Sequence, residues 1–347
     1  MTRRAPLVIG HRGAPGYRPE HTRSSYLLAL SFGVDAVEPD VVFTSDGVAV
    51  VRHENEIGST TDVERHPEFA ARRATKRIDG VEHTGWFTED FTWAELSTLR
   101  CRERLPMLRP ASAAHDDTEP PLRLRDLLDV VRRASADQAR PIGVVLEIKH
   151  ATYFARLGVD VAAAIARELC AAGWAQERTE GEPPLFIESF EQTVLSEVRA
   201  HGIRATYVYL VEASGSAFDL IAAHGSDAPT YAAQVSARGL DRLADGVDGI
   251  SVDKAMILAG TAGRDGPVGA PGREDPAPGI VADAHARGLL VFTWTCRPEN
   301  AFLSAPFRSG GDDGDFGDYA AEWRVIADAG VDGVFVDHPD LGVDVFR

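Results

Sequence analysis

Branched and aromatic residues come in short runs along this chain, separated by stretches whose apolar positions recur every three to four residues. The runs predict strands at residues 7–10, 36–43, 142–148, 185–189, 205–210, 248–252, 289–295 and 331–336. The recurring pattern predicts helices at 24–32, 124–136, 159–171, 192–200, 218–223, 240–243, 280–286 and 319–329. Leu124, Leu127, Leu128 and Val131 show the helical spacing most clearly. Residues 142–148 are apolar almost throughout, as a strand covered on both faces requires. Ser45-Asp46-Gly47 turns the second strand back into residues 48–52 as a hairpin. Eight main strands alternating with helices predict the α/β class, as a (β/α)8 TIM barrel. An open doubly wound sheet would need a glycine-rich phosphate loop after the first strand. His11-Arg12-Gly13-Ala14-Pro15-Gly16 does not have the GxGxxG spacing.

Two segments stand outside this repeat. Residues 55–121 separate the hairpin from the next unit and are too long for a loop. With Trp86, Phe87, Phe91 and Trp93 among them, they read as a small inserted subdomain with its own core, within a barrel spanning 1–347. Residues 260–279 are rich in Gly, Pro and Ala and read as irregular loop. The acidic run at 311–318 lacks the spacing and distal Glu of an EF-hand and reads as a solvated loop.

A formal net charge of −17 over 347 residues disfavours nucleic acid and anionic membranes as partners. It leaves room for a small anion met by local cations. No apolar run approaches the roughly 18 residues of a membrane span, so no stable membrane insertion is expected. The first residues hold no signal-peptide core; a cytoplasmic location is expected, export requiring a segment since removed. Cys101, Cys170 and Cys296 form neither a disulfide framework nor a metal motif. Of 36 basic residues only Lys76, Lys149 and Lys254 are lysines, so a lysine in an apolar strand marks a place that wants a compact ammonium. No feature of the sequence sets an oligomeric state.

In an eight-stranded barrel the catalytic groups stand at the C-terminal ends of the strands. Here those ends carry His11-Arg12, Glu38 and Asp40, Glu147 and Lys149, Glu188-Ser189, Asp253-Lys254, Trp294 and Asp337-His338, and the hairpin ends in His53-Glu54. Packing alone does not put polar groups at one end of almost every strand. Glu38 and Asp40 are two apart and share a side of their strand. Carboxylates that close repel unless a cation lies between them, and the flanking Val37, Val41 and Val42 argue against a solvated edge. Glu38, Asp40 and Glu147, with no Cys nearby, describe a hard-cation site for Mg²⁺ or Ca²⁺. His11 and His53 suit a general acid and a general base. Arg12 suits either a bidentate grip on phosphate or a salt bridge to Glu20. Trp294 serves equally as core or as pocket wall. Asp253 and Lys254 have the makings of a rim ion pair.

These residues sit in recognisable company. Ile9-Gly10-His11-Arg12-Gly13, Pro19-Glu20-His21-Thr22, Val37-Glu38-Pro39-Asp40-Val41, Asp46-Gly47 and Val51-Arg52-His53-Glu54 together resemble the glycerophosphodiester phosphodiesterase family. Leu146-Glu147-Ile148-Lys149 and Asp332-Gly333-Val334-Phe335-Val336-Asp337-His338-Pro339-Asp340 extend the resemblance to the far end of the chain. The insert, with Thr60-Thr61-Asp62-Val63 and Gly85-Trp86-Phe87-Thr88-Glu89-Asp90-Phe91, resembles the long-insert bacterial branch, which includes exported enzymes. The resemblance implies hydrolysis of a small-molecule glycerophosphodiester to glycerol 3-phosphate and an alcohol, with one divalent cation, Ca²⁺ or Mg²⁺. It implies His11 and His53 as the catalytic pair and Glu38, Asp40 and Glu147 as metal ligands. Arg12 and Lys149 become phosphate-side cations, and Trp294 lines the glycerol pocket. His21 stands where the family often has Asn, and Glu54 where it often has Asp; neither is expected to touch the reacting groups.

Two other readings remain beside this one. A related barrel diesterase acting on lysophospholipid or sphingomyelin would need an apolar groove for a long chain. A catalytically inactive binding protein on the same scaffold would have no chemical need of His11, His53, Glu38, Asp40 and Glu147 together.

Overall fold

The computed structural model describes residues 5–175, 182–261 and 279–347. Eight parallel strands close on themselves: β1 (Leu7–His11), β2 in two segments (Ala36–Glu38 and Asp40–Phe43), β3 (Gly143–Ile148), β4 (Leu185–Ser189), β5 (Thr206–Val211), β6 (Gly249–Asp253), β7 (Leu290–Cys296) and β8 (Gly333–Val336). Each strand pairs with the next, and β1 pairs with both β2 and β8, so the barrel has no edge. Pro39 splits β2 because it has no N–H to give; its carbonyl still accepts from the Glu147 amide at 2.9 Å. The (β/α)8 barrel is therefore the fold, and observed strand limits differ from the sequence pattern mainly at the ends, β8 starting at Gly333 rather than at 331.

Alternation along the strands divides the interior in two. Ile9, Ala36, Val145, Phe186, Val208, Phe292 and Phe335 point inward and fill the barrel. The intervening residues, such as Val8, Val37, Val144, Leu146 and Ile148, point outward and bury against the ring of helices. That two-sided burial is why residues 142–148 read as an unbroken apolar run. Helix Arg23–Ser31 starts where the Thr22 side chain accepts from the Ser25 amide, and helix Tyr319–Ala329 starts on Asp318 and stops at Gly330 in a left-handed conformation.

Between strand Ala49–Val51, antiparallel to the second segment of β2, and strand Leu122–Arg123 lies the long insert. It carries an antiparallel pair, Ala74–Ile78 with Val81–Gly85, turning at Asp79-Gly80, both with positive φ. Ile57, Val63, Phe69, Trp86, Phe91, Leu96 and Leu99 pack on Val50 as a cluster apart from the barrel core. Lys76 belongs to this insert, paired with Glu89 and Asp90. The glycine-rich stretch at 260–279 lies mostly outside the described residues; helix Lys254–Thr261 runs into its start. Among the described residues no helix is long and apolar enough to cross a membrane.

Candidate active site

Two places beyond the apolar plug, the inward positions turn polar. Ile9 is followed by His11, Ala36 by Glu38, Val145 by Glu147, Phe186 by Glu188, Phe292 by Trp294 and Phe335 by Asp337. A cavity of about 640 Å³ opens at this end of the barrel. His11, Arg12, Glu38, His53, Glu147, Lys149 and Trp294 all line it. Asp40 is not part of the lining; it is fully buried.

Oxygens of Glu38, Glu147 and Glu188 lie within 4.8 Å of one another. Asp40 adjoins the first two but is drawn aside: its Oδ2 accepts from His21 Nε2 at 2.9 Å and lies 3.3 Å from Arg12 Nε. Burial pushes Glu38 well above the usual carboxylate range, with Asp40 adding to it. Glu147 rises to about 8, burial again outweighing Lys149. Asp40 is held well below the usual range, because the His21 hydrogen bond and the neighbouring His53, Arg12 and Lys149 overcome its burial. Asp40 Oδ1 and Glu188 Oε2 are buried with no hydrogen-bond partner. Oxygen donors alone, crowded and partly orphaned, fit a hard divalent cation.

Two fixed cations stand beside them. The Arg12 amide donates to Glu38 Oε2 at 2.7 Å, and its guanidinium pairs with Glu20 at 3.0 Å, so Arg12 makes the salt bridge and also walls the cavity. Arg12 and the following Gly13 have φ of 56° and 94°, and a Cβ on Gly13 would meet Ser25 Oγ at 2.5 Å. Lys149 Nζ donates to Glu147 Oε1 at 2.9 Å and to His53 Nε2 at 3.2 Å.

The two histidines are each backed by a carboxylate. Asp337 Oδ1 lies 2.5 Å from His11 Nδ1, and its Oδ2 accepts from Arg109 Nη2 and Arg297 Nε, each at 2.6 Å. Burial would raise Asp337, but Arg297, Arg109 and His11 hold it well below the usual range. It is therefore an acceptor, and His11 Nδ1 carries the hydrogen. His53 Nδ1 lies 2.6 Å from Glu54 Oε1. Burial lowers His11 to about 4 with Arg12 assisting, and His53 to about 3 with Arg12 and Lys149 assisting. Both rings are neutral near pH 7, and Nε2 is the basic nitrogen of each.

Residues 11–341 match the Glycerophosphoryl diester phosphodiesterase family. The chain belongs to that family. This puts it among the phosphoric diester hydrolases. It is 29% identical over 341 residues to a glycerophosphodiester phosphodiesterase of Arabidopsis thaliana, covering 96% of this chain and 83% of the relative. A Treponema pallidum glycerophosphodiester phosphodiesterase is 27% identical over 208 residues, 56% of this chain and 53% of its own. The fold matches that of an Oleispira antarctica phosphodiesterase solved with its product sn-glycerol-3-phosphate, at a TM-score of 0.61 and 19% identity, covering 98% of this chain and 96% of that one.

Set against this glycerophosphoryl diester phosphodiesterase scaffold, the surroundings of several residues become specific. His21 and Glu54, not expected to touch the reacting groups, each stand one contact behind them: His21 bonds Asp40 and Glu54 pairs with His53. Lys254 pairs with Glu322 and the Phe302 carbonyl instead of Asp253, whose Oδ1 caps the Ala255 amide. Glu188 was noted only as a polar strand end; its register opposite Glu147 on the neighbouring strand was the signal that both share the inward face. Arg109 had no local signal, because its partners Asp337 and Glu299 are far along the chain.

Proposed function

We propose that the chain hydrolyses glycerophosphodiesters to glycerol 3-phosphate and an alcohol, using one divalent cation, Ca²⁺ or Mg²⁺. One observation carries this reading: two neutral histidines, two fixed cations and a carboxylate cluster line a single cavity. Glu38, Asp40 and Glu147 would hold the cation, which supplies Lewis-acid neutralisation of phosphate charge when bound. Arg12 and Lys149 add fixed positive charge where the diester monoanion gains a second charge in the transition state. One histidine takes the proton of the nucleophile at Nε2, the nucleophile being water or, through a cyclic phosphate, the glycerol 2-hydroxyl. The other, once the bound anionic diester and its backing carboxylate have drawn a proton to its Nε2, gives that proton to the leaving alkoxide. Asp337 behind His11 and Glu54 behind His53 fix the ring orientations and stabilise each imidazolium as it forms. Trp294 covers the glycerol carbons; its indole N–H donates to the Ser251 carbonyl at 3.3 Å and its ring meets Phe190 edge-on, which fixes the wall.

Residues 55–121 act as a subdomain roofing one side of the mouth. Asp79, at the tip of its hairpin, is part of the cavity lining, and Arg104 reaches within 3.4 Å of His53 Nδ1. The family match and the product bound by the Oleispira relative support the glycerol phosphate half as the recognised part of the substrate. The test is product release from glycerophosphocholine, lysophosphatidylcholine and sphingomyelin, each with added Ca²⁺ or Mg²⁺. Glycerol 3-phosphate and choline are expected from the first. Faster turnover of a long-chain substrate would favour the lipid diesterase reading. Binding without turnover of any diester would favour the inactive one.

A further inference from the structure

Glu188 has no part in the mechanism above, yet it is 1% exposed, lines the cavity and faces two other carboxylates. It stands in register opposite Glu147, just as Asp40 stands opposite Glu147 on the other side, so the three form one lateral row across β2, β3 and β4. Arg12 is already engaged by Glu20 and Asp40, and Lys149 by Glu147. Glu188 makes no salt bridge among the described residues, and its Oε2 has no hydrogen-bond partner. A buried carboxylate so placed, in a ring with a net excess of negative charge, stays ionised only with a cation in reach.

We propose that Glu188 is a fourth carboxylate of the cation site and tips its selectivity toward Ca²⁺ over Mg²⁺. This rests on the reading that the carboxylate cluster holds a divalent cation. Ca²⁺ takes six to eight oxygens in a flexible shell and accommodates several carboxylates; Mg²⁺ demands a tight octahedron, keeps its waters and is usually held by one or two. Carboxylates arriving from Glu38, Asp40, Glu147 and Glu188 match the first ion. Glu188 supplies charge and one or two oxygens on the β4 side, where the apolar Val208 stands in register beside it and Leu210 follows, Glu212 lining the cavity only farther along.

The experiment is calorimetric titration of CaCl₂, and separately MgCl₂, into the chelator-stripped full chain, its Glu188→Gln variant and its Glu147→Gln variant. Glu188→Gln is expected to weaken Ca²⁺ about tenfold or more and Mg²⁺ much less, narrowing the preference. Metal-free Glu188→Gln is also expected to melt above the metal-free parent, because one unpartnered buried carboxylate has gone. Unchanged Ca²⁺ affinity in Glu188→Gln, with loss in Glu147→Gln, would overturn this inference and leave the proposed function standing. No binding of either cation to the parent would overturn both. If Glu188→Gln does not fold, Glu188→Asp keeps the charge and shortens the reach; it is expected to bind Ca²⁺ more weakly than the parent, and equal affinity would overturn the inference.

Discussion

Arg109 donates to Asp337 Oδ2 at 2.6 Å while the other oxygen of that carboxylate holds His11 Nδ1 at 2.5 Å. A side chain from the insert is thus two bonds from a candidate catalytic ring, and its Nε is fixed in turn by Glu299 at 2.7 Å. Arg109→Met would leave two buried carboxylates short of a cation. A loss of about 3–5 kcal/mol in stability is expected from breaking such a buried pair. The fall in kcat should exceed any change in KM, because Asp337 would orient His11 less firmly. Urea unfolding and steady-state rates read both effects, and an unchanged kcat would show that Arg297 suffices.

His11→Ala and His53→Ala should each lose about 10²-fold or more in kcat, the scale of general acid–base catalysis, with the fold retained. Circular dichroism beside turnover separates chemistry from misfolding. Near-normal turnover in either variant removes that ring from the mechanism.

Chelation of divalent cations should abolish turnover, and Ca²⁺ or Mg²⁺ should restore it. The buried oxygens of Asp40 and Glu188 without partners are the structural reason to expect this. Full activity in excess chelator would count decisively against a cation-dependent mechanism.

His150 links the insert hairpin to the barrel rim: its Nδ1 lies 2.5 Å from Asp79 and its Nε2 3.7 Å from Glu54. Burial would lower this histidine and Lys149 opposes its charge, but the hydrogen bond to Asp79 and the nearby Glu54 carboxylate raise it to about 9. A folded-state value above the ordinary 6.5 stabilises the fold fully below that pH, and the gain is lost as pH rises through 9. About 2 kcal/mol should disappear across that window, after allowance for partial solvent contact. Subtracting the pH profile of His150→Asn from that of the parent isolates the term, and a flat difference would refute it.

Choline, ethanolamine and glycerol head groups should be released at similar rates, because binding rests on the glycerol phosphate half common to all three. A panel of steady-state rates decides the point. Strong preference for one alcohol would mean that the insert reads the leaving group.

The barrel was legible because each strand is covered on both faces, which writes branched, nearly continuous runs into the sequence. His11, Glu38, Glu147 and Lys149 were legible because a polar residue at the end of such a run has no packing reason to be there. Asp40 was read as equal to Glu38 because both share a strand side. Its partnership with His21 depends on Arg12 and His21 adopting left-handed conformations, with φ of 56° and 61°, and no local pattern announces that. The link from Arg109 to Asp337 spans 228 positions, and periodicity carries no information about pairs so distant.

Ile9, Ala36, Val145, Phe186, Val208, Phe292 and Phe335 fill the barrel directly beneath the polar layer. Such a packed floor admits no traffic from below. On the proposed reading, substrate, water and both products therefore share the polar end of the barrel, and a glycerol 3-phosphate held there by Arg12 and Lys149 would block the next arrival. Kinetically, that predicts product inhibition competitive with the diester, relieved only as fast as that end empties.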